Sequence, residues 1–473
     1  MRRRIWRGLA VVVLIASVGL FALVRAVRGP SNPASVSAAV PTRIAGVMVL
    51  DAAAGLVTGP ADVVLRDGRI EAVGPAAGAG EPGLVLIEGA GLTLLPGLID
   101  VHVHLASGTA LPGPLALPET RHHLGALVLA GVTTVLDTSG PLDELRELGE
   151  ATRHGDVAGP EILYAGPALT APGGHPIAIF EAVLPWFLHD FVKEHLALPI
   201  AGPQEAQAAV AGLVAGGAHV IKVMLDDIPV HGPELDDPTL RAIVAAARAH
   251  DRIVIAHVGT DADARRAAQA GVGALVHLPY RDRITPETAQ LLAREGIPVA
   301  TTLQVWTRLT ELLDRRAPLT ALERRLAPQA NMAALLRRVP ELTATDLPEP
   351  LHAWFDVVRA GQPLLAENTR TIVDAGVTLL AGSDSANVGC YPGAALHREL
   401  ELLVAAGVPA PDVLRAATAS NAAFLGLDDR IGAVRPGFEA DLLLVRGDPT
   451  RDIAAVSDIV AVWADGRRVL SLP

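Results

Sequence analysis

The chain has one cysteine, Cys390. A single thiol excludes an internal disulfide framework and a cysteine-ligated metal site, and leaves Cys390 as a core or loop thiol. Lysine is nearly as scarce. Lys193 and Lys222 are the only two, and the other basic side chains are arginines. Each lysine therefore raises the question of what an ammonium does there that a guanidinium cannot. No basic stripe follows the N-terminal segment, and the formal net charge is −12, which argues against a nucleic-acid partner. No internal repeat or low-complexity tract stands out beyond richness in alanine.

What is present is a chain of 473 residues with 50% hydrophobic content, ample for one large α/β barrel with an accessory domain. Residues 1–28 carry Arg2, Arg3, Arg4 and Arg7, an apolar run over 9–24, then Arg25 and Arg28. This reads as an uncleaved signal anchor with its positive end in the cytoplasm and the catalytic domain outside. The alternative is a cleaved signal peptide, which would make the protein secreted or periplasmic. A Pro/Ser/Asn-containing linker over 29–41 follows.

Residues 42–95 break into short β segments separated by turns, with Asp67 and Gly68 marking a hairpin. The same character returns over 431–473. The expectation is one small β-sandwich made from both chain ends, with a barrel of residues 96–430 inserted between them. Within the barrel region, apolar strands alternate with Ala/Leu-rich helical stretches. Strands are expected near 98–104, 131–137, 162–165, 219–225, 253–257, 274–278, 297–302 and 377–384. Eight such units predict a (β/α)8 TIM barrel. Two insertions interrupt it, at 166–200 and 305–368.

The first barrel strand places Asp100, His102 and His104 on one face, alternating with Ile99, Val101 and Val103. Two imidazoles at this spacing can share one metal ion. Barrel sites form at the C-terminal ends of the strands, which is where Lys222, His257, His277 and Asp384 fall. Lys222 sits among Val220, Ile221, Val223 and Met224, where an unpaired ammonium is costly to bury. A buried amine that loses its proton can be carboxylated by carbon dioxide into a group able to bridge two metals. Arginine cannot do this.

The order H-x-H, Lys, His, His, Asp on eight β/α units resembles the amidohydrolase superfamily in its binuclear metal form. The stretches PGLIDVHVH, GVTTVLDTSG, GGAHVIKVM, IVIAHVG, GALVHL and AGSDS agree, as does the tail from Ala417 to Leu442. The stretch from Ala168 to Pro176, with Gly173, Gly174 and His175, resembles the imidazolonepropionase-like branch that includes prolidase-like dipeptidases.

The resemblance implies that His102, His104 and Asp384 hold one divalent ion, with zinc first in line. His257 and His277 hold a second, and carboxylated Lys222 bridges both. It also implies that Asp384 is general base and then acid, and that His175 contacts substrate. Tyr280 and Arg281, just after His277, are further candidates for substrate binding. The implied activity is hydrolysis of amide bonds in dipeptides, N-acyl amino acids or cyclic amides. An ester or lactone hydrolase on the same site, or a non-catalytic binding protein, are the alternatives. Val258 and Gly259 stand where dipeptide-cleaving relatives often carry an aromatic residue, and Lys222 argues against the mononuclear imidazolonepropionases. The partner is a small-molecule substrate, with membrane contact only through the N-terminal segment. A homo-oligomer is compatible with the sequence.

Overall fold

The computed structural model describes residues 31–109, 119–184, 186–341 and 349–472. Both chain ends contribute to one mixed sheet of nine strands. Its order runs Ala34–Val36, Arg467–Ser471, Ile459–Ala464, Leu442–Arg446, Leu92–Pro96, Thr42–Asp51, Leu56–Arg66 and Arg69–Gly74, with Val85–Glu88 alongside Thr42–Asp51. The hydrogen-bonded ladder is therefore continuous, where a sandwich was expected. Part of the stretch read as a linker belongs to it, because Ala34–Val36 pairs antiparallel with Arg467–Ser471. Ile44, Val63, Leu94, Leu442, Leu444 and Trp463 form its buried core.

Gly97 joins this sheet to the catalytic half. Its N–H donates to Asp441 O at 2.7 Å, and Leu98 N donates to Gly131 O at 2.9 Å. A Cβ at position 97 would lie 2.1 Å from Thr133 Oγ1, so glycine leaves the room that the Thr133 side chain fills.

Eight parallel strands follow, labelled here β1 (Leu98–Val103), β2 (Val132–Asp137), β3 (Glu161–Tyr164), β4 (Ile221–Met224), β5 (Val254–His257), β6 (Ala274–Val276), β7 (Val299–Ala300) and β8 (Leu379–Leu380). β1 and β2 are buried on both faces, as strands covered by helices must be. The strands register as two arcs and not as one closed ladder. β1–β2–β3 form one, and β4 to β8 form the other, extended by Ala168–Thr170 and Ala197–Pro199.

Backbone bonds span both seams. Val101 N donates to Ala381 O, Asp384 N to His102 O and His104 N to Ser385 O; on the other side His219 N donates to Tyr164 O. The connecting helices carry ordinary end signals. Asp236 caps Asp237–Ala249 through Thr239 N, Thr260 and Asp263 form a capping box on Asp261–Ala270, and Gly155 closes Leu142–His154 in the left-handed region. The long insertion supplies two helices that reach the site, Leu303–Leu313 and His352–Asp374.

The membrane-anchored location expected from residues 1–28 is corrected. Crossing a bilayer takes about 20 consecutive apolar helical residues. Among the described residues no helix is long and apolar enough, and residues 1–28 lie outside them.

Candidate active site

The ends of β1, β5, β6 and β8 bring five of the expected side chains together. His104 Nε2 lies 2.9 Å from Asp384 Oδ1 and His102 Nε2 lies 3.5 Å from the same oxygen. On the other carboxylate oxygen, His277 Nε2 lies 4.0 Å away. The His102 and His277 rings are 4.8 Å apart, and His257 lies 4.1 Å from His277. Lys222, on β4, is 2% exposed, and its charge acts on His102, His104, His257 and His277. Among the described residues it makes no ion pair. Burial pulls its ammonium down to about 7, with Asp384 opposing that pull.

Burial pushes the Asp384 carboxyl up, but the charges of His102, His104 and Lys222 outweigh it. The group ends well below the usual carboxylate range. His102 and His277 are held well below the usual imidazole value by burial.

Three residues at the strand ends have positive φ without being glycine: His277 at 91°, Thr302 at 50° and Asp384 at 53°. Such conformations cost energy and persist where their surroundings hold them. The holders are visible. Asp100, fully buried, accepts from Ser383 N at 2.9 Å and His102 N at 3.2 Å, tying β1 to the loop that carries Asp384. Its sequence position on the face of His102 and His104 foreshadowed this role. Burial raises its carboxyl to about 7. Glu399 accepts from Thr301 Oγ1 and Gln304 N, fixing the chain on either side of Thr302.

A metal fits this donor set. Both ring nitrogens of His102 are buried and lack a hydrogen-bond partner among the described residues. A buried imidazole left this way is costly unless something is coordinated to it. His102, His277 and Asp384 offer ligand atoms within 4.8 Å of one another. Imidazole with carboxylate suits zinc and its first-row neighbours.

His175 sits 4.9 Å from His257, ring to ring, with a buried Nδ1 lacking a partner among the described residues. Tyr280 and Arg281 are both engaged by Asp226, a residue the sequence reading did not single out. Tyr280 OH donates to Asp226 Oδ2 at 2.7 Å and Arg281 Nη1 to Asp226 Oδ1 at 3.0 Å. Arg281 also pairs with Asp227. The signal for Asp226 was present, an acidic pair directly after an apolar strand. Trp306 and Trp354 had no such signal, because both lie in the helical insertion. Trp306 stacks on Tyr280 at 3.9 Å and stands 5.4 Å from His277.

Comparison with known proteins bears on the family and the fold. The model of the amidohydrolase family matches residues 93–469. An ochratoxinase from Aspergillus niger is 26% identical over 404 residues, spanning 79% of this chain and 75% of that protein. The solved structure of a Xaa-Pro dipeptidase with bound methionine superposes with a TM-score of 0.74 at 21% identity, covering 90% of this chain and 99% of that one. The solved ochratoxinase gives 0.69 at 23% identity, covering 92% and 96%. Likeness at these identities carries the fold.

Proposed function

We propose, from the premise that this chain belongs to the amidohydrolase family, that it hydrolyses amide bonds of small molecules with the help of two divalent metal ions. The observation that carries this reading is His102, buried beside His277 and Asp384 with no hydrogen-bond partner for either ring nitrogen among the described residues. His102, His104 and Asp384 hold one ion and His257 and His277 the other, with zinc the first choice. Lys222 would serve both ions once its neutral amine has added to carbon dioxide, forming an N–C bond and releasing a proton. The low Lys222 ammonium supports that addition. The two strand arcs close into a (β/α)8 barrel over residues 96–430, supported by the backbone bonds at both seams. The terminal sheet takes 42–95 and 431–473, with Ala34–Val36 added at its edge.

Divalent ions at such a site supply Lewis acidity toward a carbonyl and a lowered pKa for water. The protein supplies the rest. Asp384, its carboxyl held well below the usual carboxylate range, accepts a proton from the attacking water as its oxygen bonds to the carbonyl carbon. It returns that proton to the nitrogen as the C–N bond breaks, giving a carboxylic acid and an amine. His175, whose buried Nδ1 has no partner among the described residues, is the group to bind the carbonyl. Dipeptides, N-acyl amino acids and cyclic amides are the substrate classes to which this chemistry applies.

Metal analysis of protein grown with zinc or manganese tests the reading. About two ions per chain are expected, and clearly fewer for Lys222→Ala. Full hydrolytic activity in metal-free protein would sink it. A screen of dipeptide and N-acyl amino acid libraries identifies the substrate.

A further inference from the structure

Asp226 lies four residues after Lys222, just past the end of β4, and is 2% exposed. Three donors converge on its carboxylate. His257 Nε2 lies 3.3 Å from Oδ2, Tyr280 OH 2.7 Å from Oδ2, and Arg281 Nη1 3.0 Å from Oδ1. Tyr280 is fixed in turn by Trp354 Nε1, which donates to its hydroxyl at 2.6 Å, and by Trp306 stacked on its ring. The backbone is shaped around the same carboxylate. Gly259 O accepts from both Tyr280 N and Arg281 N at 3.1 Å. A Cβ at position 259 would lie 2.3 Å from Asp226 Oδ1. The φ of Gly259 is not positive, so its glycine is explained by Asp226 and not by backbone strain.

We infer that Asp226 is a positioning residue for the second metal ion, holding the His257 ring through Nε2 so that Nδ1 is the nitrogen left to coordinate. This rests on the two-metal reading above. A carboxylate accepting from one imidazole nitrogen fixes the tautomer and the ring plane and makes the other nitrogen a better donor. Tyr280 and Arg281 then serve Asp226, and through Trp354 the helix His352–Asp374 of the insertion braces the metal pocket. His277 is held differently, by a hydroxyl on Nδ1 that leaves Nε2 free. The two histidines of this ion thus coordinate through opposite nitrogens, each fixed by its own partner.

The test measures stepwise metal affinity by chelator competition, with cobalt absorption spectra of the fully loaded protein. Asp226→Asn is expected to weaken the second ion about 10- to 100-fold and to shift the cobalt spectrum. The first ion should stay within about twofold and the metal-free protein should melt as wild type does. Gly259→Ala, which displaces the carboxylate without removing it, should give the same split, and it carries the test if Asp226→Asn does not fold. Tyr280→Phe should give a smaller loss of the same kind. Unchanged second-ion affinity in both Asp226→Asn and Gly259→Ala overturns the inference, as does an equal loss at both ions. Wild-type protein that takes up a single ion overturns the two-metal reading and this inference with it. Two ions in wild type with indifferent variants overturn this inference alone.

Discussion

Thr302 Oγ1 lies 2.6 Å from His277 Nδ1, and both residues stand at strand ends in the left-handed region of backbone space. The hydroxyl sets which imidazole nitrogen faces Asp384. The φ of 50° at Thr302 puts that hydroxyl where it is. Glu399 supports the arrangement from behind by accepting from residues on both sides of Thr302.

Removing the hydroxyl should loosen the ring. Thr302→Ala is expected to weaken metal binding about 10-fold or more and to lower stability by about 1 kcal/mol, the usual worth of one hydrogen bond. Thr302→Ser keeps the hydroxyl that accepts from Nδ1 and should stay close to wild type. Chelator competition reads the first effect and thermal melting of metal-free protein the second. Equal behaviour of the alanine and serine variants would show that the hydroxyl does not orient His277.

Gly97→Ala should destabilise the protein by about 1–3 kcal/mol, because its methyl group meets Thr133 Oγ1 at 2.1 Å. Thr133→Ala removes the obstructing atoms. The double variant should therefore recover most of the loss, read as a melting temperature above that of Gly97→Ala. Failure to recover would mean that the glycine serves something other than this close approach.

His397 gives a pH signature away from the metal ligands. Its Nε2 donates to Ala130 O at 2.8 Å and its Nδ1 lies 3.0 Å from Ser457 Oγ. Burial pulls its imidazole from 6.5 down to about 4. The folded chain therefore binds this proton more weakly than the unfolded chain. The associated stability is fully present above pH 6.5 and is lost as pH falls through about 4. A shift of this size corresponds to about 3 kcal/mol. His397→Gln should flatten the dependence of melting temperature on pH across that window. An unchanged slope would assign the acid sensitivity to other groups.

The candidate metal ligands were readable because they fall within or close after apolar strands, and period-two alternation tells which side chains of a strand share a face. His102 and His104 show it most plainly, and Lys222 announced itself by being an amine among Val220, Ile221 and Val223. Asp226 was harder, because it lies past the strand, where alternation no longer fixes direction. Trp306 and Trp354 were out of reach, since their approach to Tyr280 depends on how an insertion folds back across the strand ends. Thr302 was hidden for another reason. A left-handed threonine is invisible in a sequence, and it exists here because Glu399, almost a hundred residues later, holds its flanks. The continuous nine-stranded sheet was half visible: its strands carry local signals, and their pairing across the whole chain does not.

That pairing bears on how the molecule is made. Among the described residues Ala34–Val36 finds its one ladder partner in Arg467–Ser471, and Leu472 N donates to Pro33 O at 2.8 Å. During synthesis an early strand must wait, edge open, until Arg467–Ser471 has left the ribosome. Contacts this distant in sequence are slow to form, and open strand edges invite pairing with other chains. Docking of Arg467–Ser471 is thus the step that gives Ala34–Val36 its place in the sheet.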